Sequence, residues 1–184
     1  MLLLGKYIAF MRGVNVGGKN KVPMPELKEL LEQNGFDGVV TYINSGNIIF
    51  SSDNADEKRL KEEFEGLIAN KFQLNSPIII VSVNDLLTAF NHAPSWWGQD
   101  KDKDSKHNAI FILPPTTVDE VFKEVGAIKP EYEKVDHYGR VVFWSAPIKT
   151  FSRTRWSKVV GSSVYNSITI RNANTVKKLL QLAK

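Results

Sequence analysis

The chain has 184 residues, of which 42% are hydrophobic and 24% charged, with a net charge of +4. That is the composition of a globular protein with room for a sizeable core, not of a disordered chain. There is no cysteine, which excludes a disulfide framework and a thiolate zinc site and makes the reducing cytoplasm the expected compartment.

Charge is segregated along the chain. Residues 1–136 carry 15 Lys and Arg against 20 Asp and Glu, a balance of −5, whereas residues 137–184 carry nine bases and no acid, a balance of +9. The first 25 residues are also acid-free and contain Lys6, Arg12, Lys19 and Lys21. Basic ends around an acidic middle favour anionic partners if the ends present one surface. The opening run Met1–Leu4 is too short for a signal peptide, and no stretch approaches the ~18 apolar residues of a membrane span.

In chain order, Tyr7–Arg12 reads as a strand apolar on both faces. A Gly/Asn/Lys loop follows to Pro23, then a helix with Pro25 in its first turn and Leu27, Leu30 and Leu31 at helical spacing, ended by Asn34-Gly35. Residues 39–44 and 47–51 read as a hairpin about Ser45-Gly46. Residues 55–72 form an amphipathic helix on Leu60, Phe64, Leu67, Ile68 and Phe72, and Ile78–Val81 is a fourth strand. The order β-α-β-β-α-β is the ferredoxin-like motif. Strands apolar on both faces require cover for the face that such a sheet leaves open.

A short helix capped by Asn84 closes this part. Residues 92–107 read as an exposed connection around Asp100–Asp104, except that Trp96 and Trp97 should dock. The pattern then repeats. A strand runs over 109–113, and a helix capped by Thr116 or Thr117 carries Val118, Val121, Phe122 and Val125. A hairpin turns about Tyr138-Gly139, residues 152–163 are suited to a helix, 167–170 form a strand, and a last helix is capped by Asn172 or Asn174. The expectation is an α+β chain of two tandem ferredoxin-like subdomains, 1–91 and 108–184, with an added C-terminal helix.

Three segments could carry chemistry. In Arg12-Gly13-Val14-Asn15-Val16-Gly17-Gly18-Lys19-Asn20-Lys21, glycines allow backbone N–H groups to converge on an anion. Arg12, Lys19 and Lys21 add charge, and Asn15 and Asn20 add donors. Residues 13–19 spell G-x-x-x-x-G-K, but Asn20 replaces the Ser or Thr that would hold magnesium. Pro23 and Pro25 also delay the helix, so a nucleoside-triphosphatase loop is not expected. Asn44, Ser45 and Asn47 flank a tight turn, where turn chemistry alone also accounts for them. Arg155 and Lys158 beside Trp156, with Arg171 and Asn172 beyond, suit phosphate or nucleic-acid contact and equally suit a solvated basic face. His92, His107 and His137 have no metal-ligand spacing, so no metal is expected, and no Ser/His/Asp set follows from chain order.

The segments at 12–20, 41–50 (Thr41-Tyr42-Ile43-Asn44-Ser45-Gly46-Asn47-Ile48-Ile49-Phe50) and 169–176 together resemble the domain of unknown function 1697 family, which is bacterial and of about this length. The resemblance implies the duplicated ferredoxin-like fold and no activity or cofactor. The family pattern commonly has Trp where this chain has Ala173, which implies a more open or differently tuned site here if that Trp lines one. Three functional readings follow. One is binding of an anionic small molecule or nucleotide by the Gly-rich loop with the C-terminal basic residues. The second is nucleic-acid binding on the sheet through Tyr7 and Phe50. The third is a structural or interaction role without a small ligand. The first reading expects the three motifs to converge on one cleft.

Overall fold

The computed structural model describes residues 3–184. Its described residues divide into two compact units, one running to Leu87 and regaining Leu179–Lys184, the other comprising Thr88–Lys178.

In the first unit, β1 (Gly5–Met11), α1 (Met24–Gln33), β2 (Asp37–Tyr42), β3 (Asn47–Ser52), α2 (Glu57–Phe72) and β4 (Ile78–Ser82) follow the expected order. The antiparallel sheet has the order β2-β3-β1-β4. Strand alternation sends Tyr7, Ala9, Met11, Ile48, Phe50, Ile78 and Ile80 into a core with Leu27 and Leu31 of α1 and Leu60, Phe64 and Ile68 of α2. The opposite face holds Ile8, Phe10, Ile49 and Ile79, which are buried as well. The last turn of the C-terminal helix belongs to this unit, where the Lys6 ammonium donates to the Ala183 carbonyl.

Tyr7 and Phe50 stack on each other at 5.5 Å inside the helix-side core. They are therefore unavailable as a base-stacking platform. The reason is register: Tyr7 pairs with Phe50 across β1 and β3, so both project to the face that carries the helices.

A helix, α3 (Val83–Asn91), leads on, and the second unit is built from β5 (Ser105–Ile112), α4 (Val118–Val125), β6 (Lys134–Tyr138), β7 (Val141–Pro147), β8 (Ile168–Asn172) and α5 (Ala173–Leu182). Its sheet order, β6-β7-β5-β8, repeats that of the first. The chain is thus α+β with two four-stranded antiparallel sheets of ferredoxin-like topology. Residues 152–163 are not the expected regular helix. Three short 3-10 helices, Ile148–Arg153, Trp156–Gly161 and Ser163–Ser167, occupy that stretch. Their anchors are Trp156 and Val159, buried against Phe122 and the sheet. Trp97 docks as expected, edge-on to Phe90 and Phe143, with its indole N–H donating to the Asn108 carbonyl.

Thr117 caps α4 in a reciprocal box: its hydroxyl accepts from the Glu120 N–H, and the Glu120 carboxylate accepts from the Thr117 N–H at 2.7 Å. Thr117→Ala should cost about 1 kcal/mol. That is roughly 2–4 °C in thermal unfolding for a chain of this length. An unchanged melting temperature would show that the cap contributes nothing.

Candidate functional site

The Gly-rich loop is a small folded object. Val16-Gly17-Gly18-Lys19 forms a type I′ turn, with positive φ at both glycines (58° and 74°) and the Lys19 N–H bonded to the Val16 carbonyl at 3.0 Å. Below the turn, the Asn15 N–H donates to the Asn20 carbonyl, and the Asn20 amide donates to the Gly13 carbonyl. Asn15 is the brace. Its side chain accepts from the Val22 N–H and donates to the carbonyls of Val22 (2.9 Å) and Asn44 (2.7 Å). The loop ends in α1 only at Met24, which is not how a phosphate loop feeds its helix.

The Asn15–Asn44 bond joins two of the sequence motifs. Because Phe10 pairs with Asn47, the end of β1 lies beside the start of β3, and the 12–21 loop and the 43–46 turn share one sheet end. Asn47 is fully buried, and its amide donates to the Ser45 hydroxyl (2.9 Å) and the Tyr42 carbonyl (3.2 Å). Asn15, Asn20 and Asn47 thus spend side-chain donors on holding the tip. What the tip offers outward is different. Lys19 and Lys21 are exposed, and neither side chain has a hydrogen bond or ion pair among the described residues. The same holds for the N–H groups of Gly17 and Gly18. Arg12 is half-buried, and its backbone is held by Ser76 and Pro77.

The C-terminal motif lies in the second unit. Arg155 and Lys158 are exposed on the 3-10 segment. Arg171 is different: it is buried on β8, its guanidinium donating to the Thr169 hydroxyl (2.7 Å) and the Ile170 carbonyl (3.1 Å). Burial lowers its pKa to about 10, so it stays charged at neutral pH. Asn172 is exposed, and its side-chain carbonyl accepts from the Asn174 N–H at the start of α5.

The second unit also contains a group that chain order did not reveal. His107 on β5 stands directly opposite Ser145 on β7, and the His107 Nδ1 lies 2.6 Å from the Ser145 Oγ. The other ring nitrogen, Nε2, is 3.4 Å from the Asp102 carboxylate and makes no hydrogen bond. A lone pair facing a carboxylate would be repelled, so Nε2 carries the proton, Nδ1 is the acceptor and Ser145 is the donor. Burial of the ring lowers the His107 pKa. The Asp102 carboxylate opposes this, and the Lys177 ammonium adds to it. The imidazole is therefore neutral at pH 7, the state a general base requires. The group borders a cavity of about 380 Å3 walled by Trp96, Pro130, Tyr132 and Pro147, with Lys134 also on its lining. A second cavity, of about 440 Å3, reaches His107 from the side of Asn172, Ala173 and Asn174. The only sequence signal for this group was polar residues at the ends of two strands.

The chain belongs to the family described as protein of unknown function DUF1697, whose model matches residues 4–143. The match takes in the 12–21 loop, the 43–47 turn, Asp102 and His107. Over nearly its full length the chain is similar to the conserved bacterial protein SP0830 from Streptococcus pneumoniae, with 32% identity and a TM-score of 0.86, covering 99% of this chain and 100% of that one. No curated protein matches it. Among the described residues no helix is long and apolar enough to cross a membrane, and no group of three His, Asp or Glu side chains could hold a metal ion.

Proposed function

We propose that the protein binds a phosphate-bearing small molecule at the tip formed by the 12–21 loop and the 43–46 turn. One observation carries this reading: a braced type I′ turn presents two unbonded glycine N–H groups, at Gly17 and Gly18, immediately before the exposed Lys19 and Lys21. Five residues of the loop, Gly13, Asn15, Gly17, Gly18 and Asn20, sit at positive φ. At Asn15 and Asn20, which are not glycine, such backbone is sustained by the loop's own hydrogen bonds, and free N–H groups with ammonium charges beside them suit a phosphate. A cytoplasmic setting, rich in phosphorylated metabolites, fits a chain without cysteine.

Thermal unfolding in the presence of nucleotides, sugar phosphates, inorganic anions and short oligonucleotides tests the reading. A ligand at ~100 times its dissociation constant adds about 2.7 kcal/mol, or roughly 5–10 °C. The shift should appear with one class of small phosphate compound and be lost in Lys19→Ala/Lys21→Ala, whose own melting temperature should stay within about 1–2 °C of the parent because both side chains are exposed and unpaired. A shift with oligonucleotides alone, fading with salt, would replace the small molecule by nucleic acid. No shift with any of them would remove the binding site.

A further inference from the structure

We propose that Ser145, His107 and Asp102 form a nucleophile–base–carboxylate relay that transfers the acyl group of a small ester first to Ser145 and then to water. This site is in the second unit and is independent of the anion site on the first.

The geometry meets the requirements of acyl transfer in turn. A serine hydroxyl is a weak nucleophile until a base takes its proton, and it must donate to that base. Ser145 donates to His107 across 2.6 Å, a distance set by the β5–β7 register rather than by flexible loops. The base must in turn be oriented, and its positive form stabilised, by a third group. Asp102 occupies that place, 3.4 Å from Nε2. A buried ring nitrogen without a hydrogen bond is costly and calls for a reason. The reason here is a contact that tightens to an ion pair when the ring is protonated during turnover, since catalytic hydrogen bonds are often long before substrate arrives. Finally, substrate must reach the nucleophile. Ser145 and His107 both line the cavity of about 380 Å3, whose walls of Trp96, Tyr132, Pro130 and Pro147 suit an apolar acyl or aryl group.

The chemistry balances with an ester and water alone. Ser145 Oγ attacks the carbonyl carbon, and its proton passes to His107 Nδ1. Lys134, opposite Ser145 on β6 and on the same cavity wall, is the positive charge placed to stabilise the oxyanion. The C–O bond to the alcohol breaks as His107 returns the proton to the leaving oxygen. Water then attacks the acyl-serine, giving its proton to His107, and the acid departs with Ser145 restored. Ser145 and His107 are the catalytic residues, and Asp102 is a positioning residue.

The test is labelling of the full-length folded chain with a fluorophosphonate, which replaces fluoride at phosphorus by the activated serine oxygen. Trypsin should release Val141–Lys149, in which Ser145 is the only hydroxyl-bearing residue, so an adduct on that peptide is unambiguous. We expect a single adduct there, absent after heat unfolding, slowed by about 10²-fold or more in His107→Asn. The wild-type rate should rise with pH through a midpoint below the ordinary histidine range. Asp102→Asn removes a negative charge that favours the imidazolium, so the midpoint should move further down. An adduct elsewhere, none at all, or equal labelling of the unfolded chain overturns the relay. A midpoint unmoved or raised in Asp102→Asn overturns the role of Asp102. Hydrolysis of 4-nitrophenyl acetate, lost in Ser145→Ala, should accompany the labelling, and turnover retained in that variant also overturns it.

Discussion

Gly46→Ala is expected to lower the melting temperature by roughly 6–12 °C, corresponding to about 3 kcal/mol. Two independent costs combine. Gly46 sits at φ 81°, a conformation that a residue with a Cβ adopts only at about 1 kcal/mol or more. A Cβ placed there would also lie 2.6 Å from the Met11 Cβ and 2.9 Å from a Val14 methyl. The Met11 Cβ is fixed by the backbone of a central strand and cannot swing away, so strand and turn must part, which adds about 2 kcal/mol of overpacking. Parting them also strains the 2.8 Å bond from the Met11 N–H to the Gly46 carbonyl. Gly17→Ala is the control. It has positive φ too, but nothing lies within 4 Å of the new methyl, so about 1 kcal/mol is expected. Equal, small losses in the two variants would show that the 43–46 turn is not clamped to the end of β1. If Gly46→Ala still folds, it should weaken the phosphate-dependent shift as well, because Asn44 moves away from its bond to Asn15.

Glu133→Ala should be at least as damaging, at about 4 kcal/mol and roughly 8–16 °C. The Glu133 carboxylate is 3% exposed and is filled by three backbone donors: the N–H groups of Lys129 (3.0 Å), Arg155 (2.8 Å) and Trp156 (3.1 Å). It therefore ties the entry of β6 to the first turn of the segment that buries Trp156. Removing it orphans three amides, each at about 1–3 kcal/mol where water cannot replace the carboxylate. Glu133→Gln keeps the shape and one acceptor but turns an NH2 toward a backbone N–H, so an intermediate loss is expected. The comparison separates lost volume from lost acceptors. If alanine and glutamine cost the same small amount, the 3-10 segment is held by Trp156 and Val159 alone.

The same segment is where secondary structure departs from the sequence pattern. Residues 152–163 have helical spacing of Trp156 and Val159, and a periodic pattern predicts a helix. The carboxylate of Glu133, 22 and 23 residues away in the chain, accepts the amides where such a helix would begin. Accepting those amides would by itself suit a helix start, but the hydroxyls of Thr154, Ser157 and Ser162 each donate to the carbonyl three residues before them, and the backbone is extended at Thr154 and Ser162. Those local bonds favour tight turns over a regular ladder.

The candidate residues divide along a similar line. Gly17, Gly18, Lys19 and Lys21 were legible from the sequence because glycine's access to positive φ and the solvation of lysine are properties of the residues themselves. Asn15 and Asn20 read as donors for a ligand and Asn47 as a turn residue, but all three side chains donate within the tip itself, to the carbonyls of Val22, Asn44, Gly13 and Tyr42 and to the Ser45 hydroxyl. Arg171 reads as a surface cation in a basic stretch, yet strand alternation on β8 turns it inward to Thr169. Tyr7 and Phe50 were candidates for stacking, and register placed them in the helix-side core.

The order of strands and helices, the duplicated β-α-β-β-α-β frame and the position of the glycine-rich tip follow from the pattern of residue types alone. Periods of 2 and 3.6, turn residues and caps are local properties, readable within a few residues. Which distant residues meet is a property of the folded sheets. The pairing of β1 with β3 set Asn15 against Asn44, 29 residues on. The pairing of β5 with β7 set His107 against Ser145, 38 residues on. A shift of one residue in the β5–β7 register would have turned His107 and Ser145 to opposite faces, and one in the β1–β3 register would have moved the Asn44 carbonyl away from Asn15. What selects the register is the burial of whole strand faces, a sum over the sheet that no single segment carries.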